Sequence, residues 1–475
     1  MNNKKTNVVF ILTDDQGPWA CGCYGNPEIR TPNIDQLAAT GMRFENFFCT
    51  SPVCSPSRAS LLTGLIPSQH GVHDWIREGN VPPDKEMLVE DEKEVYPAVA
   101  YLEGKTGYTD VMAEHGYICG MSGKWHLGDS LHSQMSFKHW FVHQRGGGPY
   151  NNAPMVREGK LVNEPGYVTN VITDDALKFL DEHADKTFYL SVHYTAPHSP
   201  WVGQHPQDIV DSYDDCPFKS CPQEAKHPWA GSLSDHNLGN REALKGYFAA
   251  VTAMDMDVGR IVDKIEELGL RENTLIVFNS DNGFNCGHHG IWGKGNGTFP
   301  LNMYENSVKV PFIASHPGRI PEGKVTDALV SGYDFMPTLL DYLGLPQPKG
   351  GNRPGRSFLS VLLGKSETVR DSVVVYDEYG PVRMIRTREW KYVHRYPYGP
   401  HELYNLANDP NERKNLIDEP KQKARIRKMR QQLADWFAQY VEPTLDGARL
   451  PVTGGGQLTR IGPQHCGEGV FQPRN

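Results

Sequence analysis

The stretch NVVFILTDDQG, residues 7–17, decides the fold class of this chain. Residues 8–12, VVFIL, form an apolar run without polar alternation, which is typical of a strand buried on both faces. A second stretch of this kind, TLIVFNSDNG at residues 274–283, also ends in acidic and amide side chains. Strands that are buried on both faces belong to parallel sheets covered by helices. The two stretches therefore predict an α/β protein.

Other segments extend the same pattern. FYLSVH at residues 188–193 and VKVPFIAS at residues 308–315 predict further strands. TPNIDQLAATG at residues 31–41 predicts a helix, because a proline stands at its start and a glycine at its end. Apolar residues at helical spacing predict a long helix over residues 247–270. We expect a large, mostly parallel sheet flanked by helices, which binds its ligand at the C-terminal ends of the strands.

The pattern changes after about residue 365, so we predict a catalytic domain at residues 1–365 and a smaller C-terminal α+β subdomain at residues 366–475. Residues 372–396 alternate as antiparallel strands do, and residues 419–441 form an amphipathic, basic helical pattern. Residues 447–475 show little periodicity, and we expect them to form a tail that wraps the domain.

Composition excludes several classes of partner. The chain has 475 residues, 38% of them hydrophobic, and a formal net charge of −9. The acidic balance argues against non-specific nucleic-acid binding, which needs a basic surface, and no apolar run is long enough to cross a membrane.

The N-terminal residues lack the apolar length and cleavage site of a signal peptide. As it stands, the chain is expected to be cytoplasmic. If a leader was removed, it is expected to be periplasmic or secreted, so its location stays open.

Acidic and amide side chains follow the two decisive strands. Asp14 and Asp15 come directly after the first, and Asp281 and Asn282 come directly after the second. If these strands are neighbours in a parallel sheet, the four side chains meet at its C-terminal edge. Their hard oxygen atoms suit Ca²⁺ or Mg²⁺ rather than zinc. A turn or a helix cap explains either pair alone about as well, but two pairs together favour a metal site.

The stretch SPVCSPSRASLLTG, residues 51–64, places one cysteine in an unusual setting. The chain has nine cysteines, an odd number that does not indicate a disulfide framework. Cys54 lies at or just before the start of a predicted helix, where free N–H groups favour an anion. Arg58 adds a permanent positive charge one turn later. This spacing favours a functional cysteine over an ordinary buried thiol.

The residues around Cys54 also resemble a known family. PVCSPSRASLLTG at residues 52–64 resembles the type I sulfatase motif C-x-P-S-R, and GYICGMSGKWHLG at residues 116–128 resembles the second sulfatase motif. The segments TDDQG, APHSP, SDNG and ELYNLANDPNERKNL extend the likeness over almost the whole chain. The resemblance implies the fold of the alkaline phosphatase superfamily and a sulfuric ester hydrolase.

The resemblance also implies a role for Cys54. In sulfatases this cysteine is oxidised to formylglycine, also called 3-oxoalanine, by a formylglycine-generating maturation enzyme. One hydroxyl of the aldehyde hydrate would attack sulfur, and loss of a proton from the other would then expel sulfate. An unmodified thiol could not release sulfate in this way.

Further roles are carried over position by position. Asp14, Asp15, Asp281 and Asn282 resemble the family's metal ligands, together with the modified Cys54, and the likeness favours calcium over magnesium. Arg58 would hold the formylglycine hydrate, and Lys124 and Lys294 would contact sulfate. His126 would help to deprotonate the second hydroxyl, and His198 is the candidate general acid near the leaving oxygen.

The substrate is less defined than the chemistry. We expect a sulfated small molecule or glycan, and favour exo-acting cleavage of a sulfated carbohydrate. His73, Asp74 and Trp75 follow the first motif and are candidates to line the substrate pocket, although packing explains them equally well. Two alternatives stay open: a phosphonate monoester or phosphodiester hydrolase that uses the same site, and a non-catalytic glycan-binding homologue.

Overall fold

The computed structural model describes residues 5–81, 97–378, 381–462 and 469–473. Its strands are β1 (Asn7–Thr13), β2 (Met42–Phe44), β3 (Phe47–Phe48), β4 (Ile118–Gly123), β5 (His139–His143), β6 (Asn151–Arg157), β7 (Lys160–Tyr167), β8 (Phe188–His193), β9 (Thr274–Ser280), β10 (Phe312–Ser315), β11 (Lys324–Thr326), β12 (Val330–Ser331), β13 (Ser372–Asp377), β14 (Val382–Thr387), β15 (Trp390–Arg395) and β16 (Glu402–Asn405).

The helices complete the description of the elements. They are α1 (Pro32–Ala39), α2 (Cys54–Thr63), α3 (Pro67–His70), α4 (Tyr108–Glu114), α5 (Val168–His183), α6 (Gln207–Asp211), α7 (Ser232–Asn237), α8 (Arg241–Glu267), α9 (Glu305–Val308), α10 (Phe335–Leu343), α11 (Leu359–Leu362) and α12 (Lys423–Tyr440). None of the helices in the described ranges combines the length and apolar character that crossing a membrane requires.

Ten of the described strands form one large sheet, in the order β11-β2-β10-β9-β1-β8-β4-β5-β6-β7. Its five central strands, from β9 to β5, are parallel to one another, and antiparallel pairs occur on both sides of them. The predicted α/β class, with a large and mostly parallel sheet, is confirmed. Strands β1 and β9 are direct neighbours, and Thr13 lies opposite Ser280 where both strands end.

Strand β1 is apolar from Val8 to Leu12 because both of its faces are covered. Val9 and Ile11 join a core with α1, α5 and α8, while Val8, Phe10 and Leu12 join a second core with α2, α4 and α10. Alternate side chains of a strand point to opposite faces, so a strand between two helical layers has no polar face. This is why seven consecutive buried residues precede Asp14.

One predicted strand is shorter than its sequence indicates. The apolar segment that begins at Val308 forms a strand only from Phe312, because α9 occupies residues up to Val308. Pro311 stands between the two elements, and proline has no N–H group to donate to a sheet. Strand β10 pairs with β9 in the antiparallel sense.

The C-terminal region has the predicted antiparallel strands and amphipathic helix. Strands β13, β14, β15 and β16 pair in sequence order, and α12 buries Met429, Leu433 and Phe437 against them. Val373 and Val375 on β13 belong instead to the main hydrophobic core. The small sheet therefore packs tightly on the large domain, and the boundary at residue 365 stays a prediction.

Candidate active site

The carboxyl ends of β1 and β9 bring the four predicted oxygen ligands together. Asp14 and Asp281 are fully buried. The Asn282 side-chain amide donates to Oδ1 of Asp15 at 2.7 Å, and the Asp15 backbone N–H lies 3.4 Å from Oδ1 of Asp281. Asp15 has a left-handed backbone with φ of 65°, a conformation that aspartate tolerates better than most residues. The adjacency of the two strands thus places both pairs in one cluster.

This cluster fits a divalent cation. Ligand atoms of Asp14, Asp15, Cys54 and Asp281 all lie within 4.8 Å of one another. The side-chain carbonyl oxygen of Asn282 is buried and has no hydrogen-bond partner among the described residues. A buried, unpaired acceptor beside three carboxylates is what an oxygen-coordinated cation would satisfy. The donor set is therefore suited to Ca²⁺ or Mg²⁺.

The two buried aspartates at the centre differ in their affinity for a proton. Burial and the nearby Asp14 raise the pKa of Asp281 to about 7. Burial also acts to raise the pKa of Asp14, but Lys124 and Lys294 outweigh it and hold that pKa well below its usual value. Neighbouring carboxylates repel one another when both are ionised, so the cluster favours a bound positive charge.

Cys54 is the first residue of α2, after the extended Val53. All ten residues of α2 are buried, and the helix ends at Gly64, whose left-handed backbone suits glycine. The Cys54 thiol donates to Oδ1 of Asp14 at 3.4 Å, and the Lys294 ammonium donates to its sulfur at 2.6 Å. Burial and Asp14 raise the pKa of the Cys54 thiol to about 12. The unmodified residue is thus a protonated thiol near neutral pH.

Arg58 lies one helical turn after Cys54 and binds the carboxylates. Its Nε donates to Asp281 at 2.8 Å and its Nη2 to Asp14 at 3.0 Å. Its Nη1 donates to the Lys124 carbonyl at 2.9 Å. These bonds make Arg58 a positioning residue for both aspartates. A contact between Arg58 and the modified Cys54 stays a prediction.

Two buried lysines that are far apart in the sequence flank the cluster. Lys124 follows β4 and forms an ion pair with Asp14. Lys294 lies on the loop after β9, and its ammonium is 2.6 Å from Oδ1 of Asp15. Burial acts to lower the pKa of Lys294, but Asp15 and Cys54 outweigh it and raise that pKa well above its ordinary value. The charge of Lys294 is therefore permanent at any pH near neutrality.

Both predicted histidines line the same cavity as Cys54. His126 donates from Nε2 to the Ile76 carbonyl at 3.0 Å, which leaves its buried Nδ1 as an acceptor without a partner in the described chain. His198 donates from Nδ1 to the Ser199 carbonyl at 2.7 Å, and its Nε2 lies 3.8 Å from Asp15. Burial lowers the pKa of both rings, so the neutral forms predominate near pH 7. A general acid role for His198 stays a prediction.

The cavity has a volume of about 510 Å³ and opens to solvent above Cys54. Of the three predicted pocket residues, Trp75 lines it, whereas His73 and Asp74 do not. Both are almost fully buried, and their backbone N–H groups donate to the side chain of Gln457. Packing is sufficient to explain the burial of His73 and Asp74, and their contact with a substrate stays a prediction.

Gln457, in the C-terminal tail, organises one wall of this cavity. Its side-chain oxygen accepts the two N–H groups just named, and its side-chain amide donates to the carbonyls of Gly71 and Thr459, both at 3.0 Å. Its backbone bonds to Trp75 at 2.8 Å and to Arg77 at 2.9 Å. The tail therefore holds the segment whose Ile76 carbonyl orients His126.

We expect Gln457→Leu to lower the free energy of unfolding by roughly 2 to 5 kcal/mol, because several buried backbone groups would lose their partners. Gln439→Leu is the matched control, since Gln439 is exposed on α12. Thermal unfolding of both variants measures the effect. Equal melting temperatures would show that the tail does not hold this wall.

Several residues that line the cavity were not predicted from the sequence: Arg77, Arg145, Gly146, Gly147, Gly148 and Asn296. The run RGGGP after β5 carried a signal, because three successive glycines indicate a close approach of backbone to another group. Nothing in the local sequence pointed to Arg77, Asn296 or Gln457.

Comparison with known proteins agrees with this geometry. The Sulfatase family matches residues 6–345, and the family N-sulphoglucosamine sulphohydrolase, C-terminal, matches residues 287–439. N-acetylglucosamine-6-O-sulfatase of Bacteroides thetaiotaomicron is 26% identical over 92% of this chain and 87% of its own. Human arylsulfatase A is 30% identical over 86% of this chain and 83% of its own.

A solved structure has the same fold as this chain. It is a protein in complex with its substrate D-glucosamine-2-N,6-O-disulfate, and it superposes with a TM-score of 0.77 at 24% identity. The superposition covers 92% of this chain and 98% of the solved one. Since the Sulfatase match spans most of its length, the chain belongs to the type I sulfatase family of the alkaline phosphatase superfamily and is a sulfuric ester hydrolase.

Proposed function

We propose that this chain hydrolyses sulfate esters of sulfated carbohydrates. The observation that carries the proposal is the convergence of the four oxygen ligands on Cys54 and Lys294, which both line one cavity. Two relatives support a carbohydrate substrate: one is an N-acetylglucosamine-6-O-sulfatase, and the other binds a disulfated glucosamine as its substrate.

In this proposal a formylglycine-generating enzyme first oxidises Cys54 to 3-oxoalanine. The hydrated aldehyde supplies one hydroxyl for attack at sulfur and a second whose deprotonation releases sulfate. The position of Cys54 at the first turn of α2 supports this role, because the positive end of a helix stabilises a negatively charged group.

We propose that Asp14, Asp15, Asp281 and Asn282 hold Ca²⁺, with Mg²⁺ as the alternative. When bound, the ion supplies positive charge that orients a sulfate oxygen and stabilises the nucleophile. Arg58 keeps Asp14 and Asp281 in place through its two bonds to them. This network supports a site whose ligands are oriented before an ion or substrate arrives.

The remaining side chains have complementary tasks in the proposed reaction. Lys124 and Lys294 bind the oxygens of the sulfate group, where their ammonium groups donate hydrogen bonds to it. His126 accepts a proton at Nδ1, the nitrogen that has no partner in the described residues. His198 protonates the leaving oxygen of the sugar from Nε2 only in its imidazolium form, the minor form of the ring near pH 7, which the nearby Asp15 carboxylate favours.

Rates on matched aryl esters test the proposal. We expect 4-nitrophenyl sulfate to be hydrolysed with a kcat/KM at least about tenfold higher than that of 4-nitrophenyl phosphate, a difference of about 1.4 kcal/mol. The two esters differ in charge, because the sulfate monoester carries one negative charge and the phosphate monoester carries two, so the ratio of their rates measures which anion the site accommodates. Faster hydrolysis of phosphate or phosphonate esters would indicate the alternative hydrolase. No hydrolysis of any ester, with retained binding of sulfated glycans, would indicate a non-catalytic homologue.

A further inference from the structure

The backbone of Ile76 connects His126 to the helix that carries Cys54. Its N–H donates to the Ser55 hydroxyl at 3.0 Å, and its carbonyl accepts from Nε2 of His126 at 3.0 Å. Ser55 directly follows Cys54 on α2 and is fully buried. We propose that Ser55 is a positioning residue for His126, which acts through the backbone of Ile76. This inference rests on the proposed function, in which His126 accepts a proton at Nδ1.

The backbone groups of Ile76 point away from the C-terminal tail. The Trp75 carbonyl accepts from the Gln457 N–H at 2.8 Å, and the Arg77 N–H donates to the Gln457 carbonyl at 2.9 Å, which makes a parallel β-bridge between Ile76 and Gln457. In an extended segment the N–H and C=O groups of successive residues point to opposite sides. The tail therefore binds the neighbours of Ile76, and the groups of Ile76 itself need partners on the other side.

Ser55 supplies the partner for one of these groups. Ile76 is only 2% exposed, and a buried N–H group without an acceptor is costly, so the hydroxyl of Ser55 is needed there. Because Ser55 belongs to the first turn of a fully buried helix, its position relative to Cys54 is fixed. The bond therefore ties the segment around Ile76 to the start of α2.

The Ile76 carbonyl in turn fixes the ring of His126. A carbonyl oxygen only accepts hydrogen bonds, so Nε2 carries the proton and the neutral ring keeps Nδ1 as an acceptor. Nδ1 is buried and has no partner among the described residues. A Cβ atom at Gly146 would lie 2.2 Å from Nε2, so only glycine fits against this ring. The bond to Ile76 is thus the one hydrogen bond that the described chain gives the ring.

The two serines of the segment CSPSR, residues 54–58, have separate tasks in the folded protein. Ser57 is a fixed residue of the C-x-P-S-R motif, and its hydroxyl donates to the backbone carbonyl of Asp281. Ser55 stands at the variable position x, and its hydroxyl binds the segment that orients His126. A substitution at Ser55 therefore leaves the residues that define the motif in place.

Proton exchange at His126 tests the inference without any turnover. The Nε2–H proton is observed by NMR in protein that contains nitrogen-15 histidine, and its absence in His126→Gln assigns it. In protein with unmodified Cys54, we expect Ser55→Ala to raise the solvent-exchange rate of this proton at least about tenfold, because the acceptor carbonyl is no longer held in place. Ser55→Thr keeps the hydroxyl and should keep the wild-type rate.

Two further comparisons separate this effect from a general loss of packing. Ser60→Ala is the matched control, since Ser60 is a buried serine of the same helix whose hydroxyl contacts Nε2 of His70 at 3.1 Å. We expect this variant to leave the His126 exchange rate unchanged. Ser55→Val has nearly the same shape as Ser55→Thr but lacks the hydroxyl, so it should show the fast exchange that Ser55→Thr does not.

Kinetics of the modified enzyme show which step depends on Ser55. Hydrolysis of 4-nitrophenyl sulfate is followed by stopped flow, and each rate is divided by the fraction of Cys54 that peptide mass identifies as formylglycine. We expect Ser55→Ala to change the first release of 4-nitrophenol by less than about twofold but to lower kcat at least about fivefold. The difference arises because His126 acts in the release of sulfate, which follows the release of 4-nitrophenol.

The outcomes separate the inference from the proposed function. Unchanged exchange of the His126 proton in Ser55→Ala, or equal exchange in Ser55→Val and Ser55→Thr, would overturn the inference. An unchanged kcat in Ser55→Ala, or equal slowing of both steps, would also overturn it. If the modified wild-type protein hydrolysed no 4-nitrophenyl sulfate, the proposed function would fail instead, while the exchange measurement would still report on Ser55.

Discussion

Cys54→Ala is expected to lower kcat for sulfate ester hydrolysis by at least about 10³-fold while the protein still binds its sulfated ligand. Removal of a catalytic nucleophile costs at least this much in enzymes that use covalent catalysis. Alanine fits the space of the cysteine at the start of α2, so the fold and the four oxygen ligands Asp14, Asp15, Asp281 and Asn282 are retained. Single-turnover kinetics and equilibrium binding of a sulfated sugar measure the two effects separately.

Cys119→Ala is the matched control for this substitution. Cys119 is also a buried, free cysteine, but it lies inside β4 and its thiol contacts the carbonyl of Thr109. We expect this variant to keep its kcat.

The mass of the peptide that carries Cys54, from protein made in its native host, provides a second measurement. A mass that matches unmodified cysteine in an active enzyme would contradict the formylglycine proposal.

Removal of the divalent ion is expected to have the second large effect. Chelation should lower kcat by at least about 100-fold and also lower the melting temperature, and added Ca²⁺ should restore both. The stability effect follows because an ion bound only by the folded state contributes about 4 kcal/mol at 1,000 times its dissociation constant. Without the ion, Asp14, Asp15 and Asp281 lie close together in a buried site. Thermal unfolding with and without Ca²⁺ measures the effect, and Mg²⁺ in the same assay compares the two ions.

Substitutions assign the calcium response to the site. We expect Asp15→Asn to lose most of the calcium-dependent rise in melting temperature, because it removes a ligand charge. Asp255→Asn is the control: Asp255 is a buried aspartate that accepts hydrogen bonds from Asn33 and Ile34 at the start of α1. This variant should be less stable but should keep the full response to calcium. A wild-type protein that is insensitive to chelation in both assays would rule out the metal proposal.

The chain's local patterns predicted the elements that carry the site. The strands β1 and β9 were recognisable because a strand covered on both faces has a continuous apolar stretch, here residues 8–12 and 275–278, and the acidic residues that follow mark its end. Cys54 was recognisable because its neighbours are specific in type and spacing. The residue pattern of the C-terminal region likewise predicted its antiparallel strands. The shortened strand β10 was predicted too long, because α9 and Pro311 interrupt an apolar run that looks continuous.

The sequence by itself determined the α/β class, the acidic ends of two strands and the cysteine at the start of a helix, because these depend on periodicity and on residues near one another in the chain. Only the tertiary structure decided that the side chains of Asp15 and Asn282 meet, since 267 residues separate them along the chain. It also decided that Gln457 from the tail holds the cavity wall and that Arg77 and Arg145 line the same cavity. Such contacts arise from the packing of distant segments, and local periodicity contains no information about which segments become neighbours.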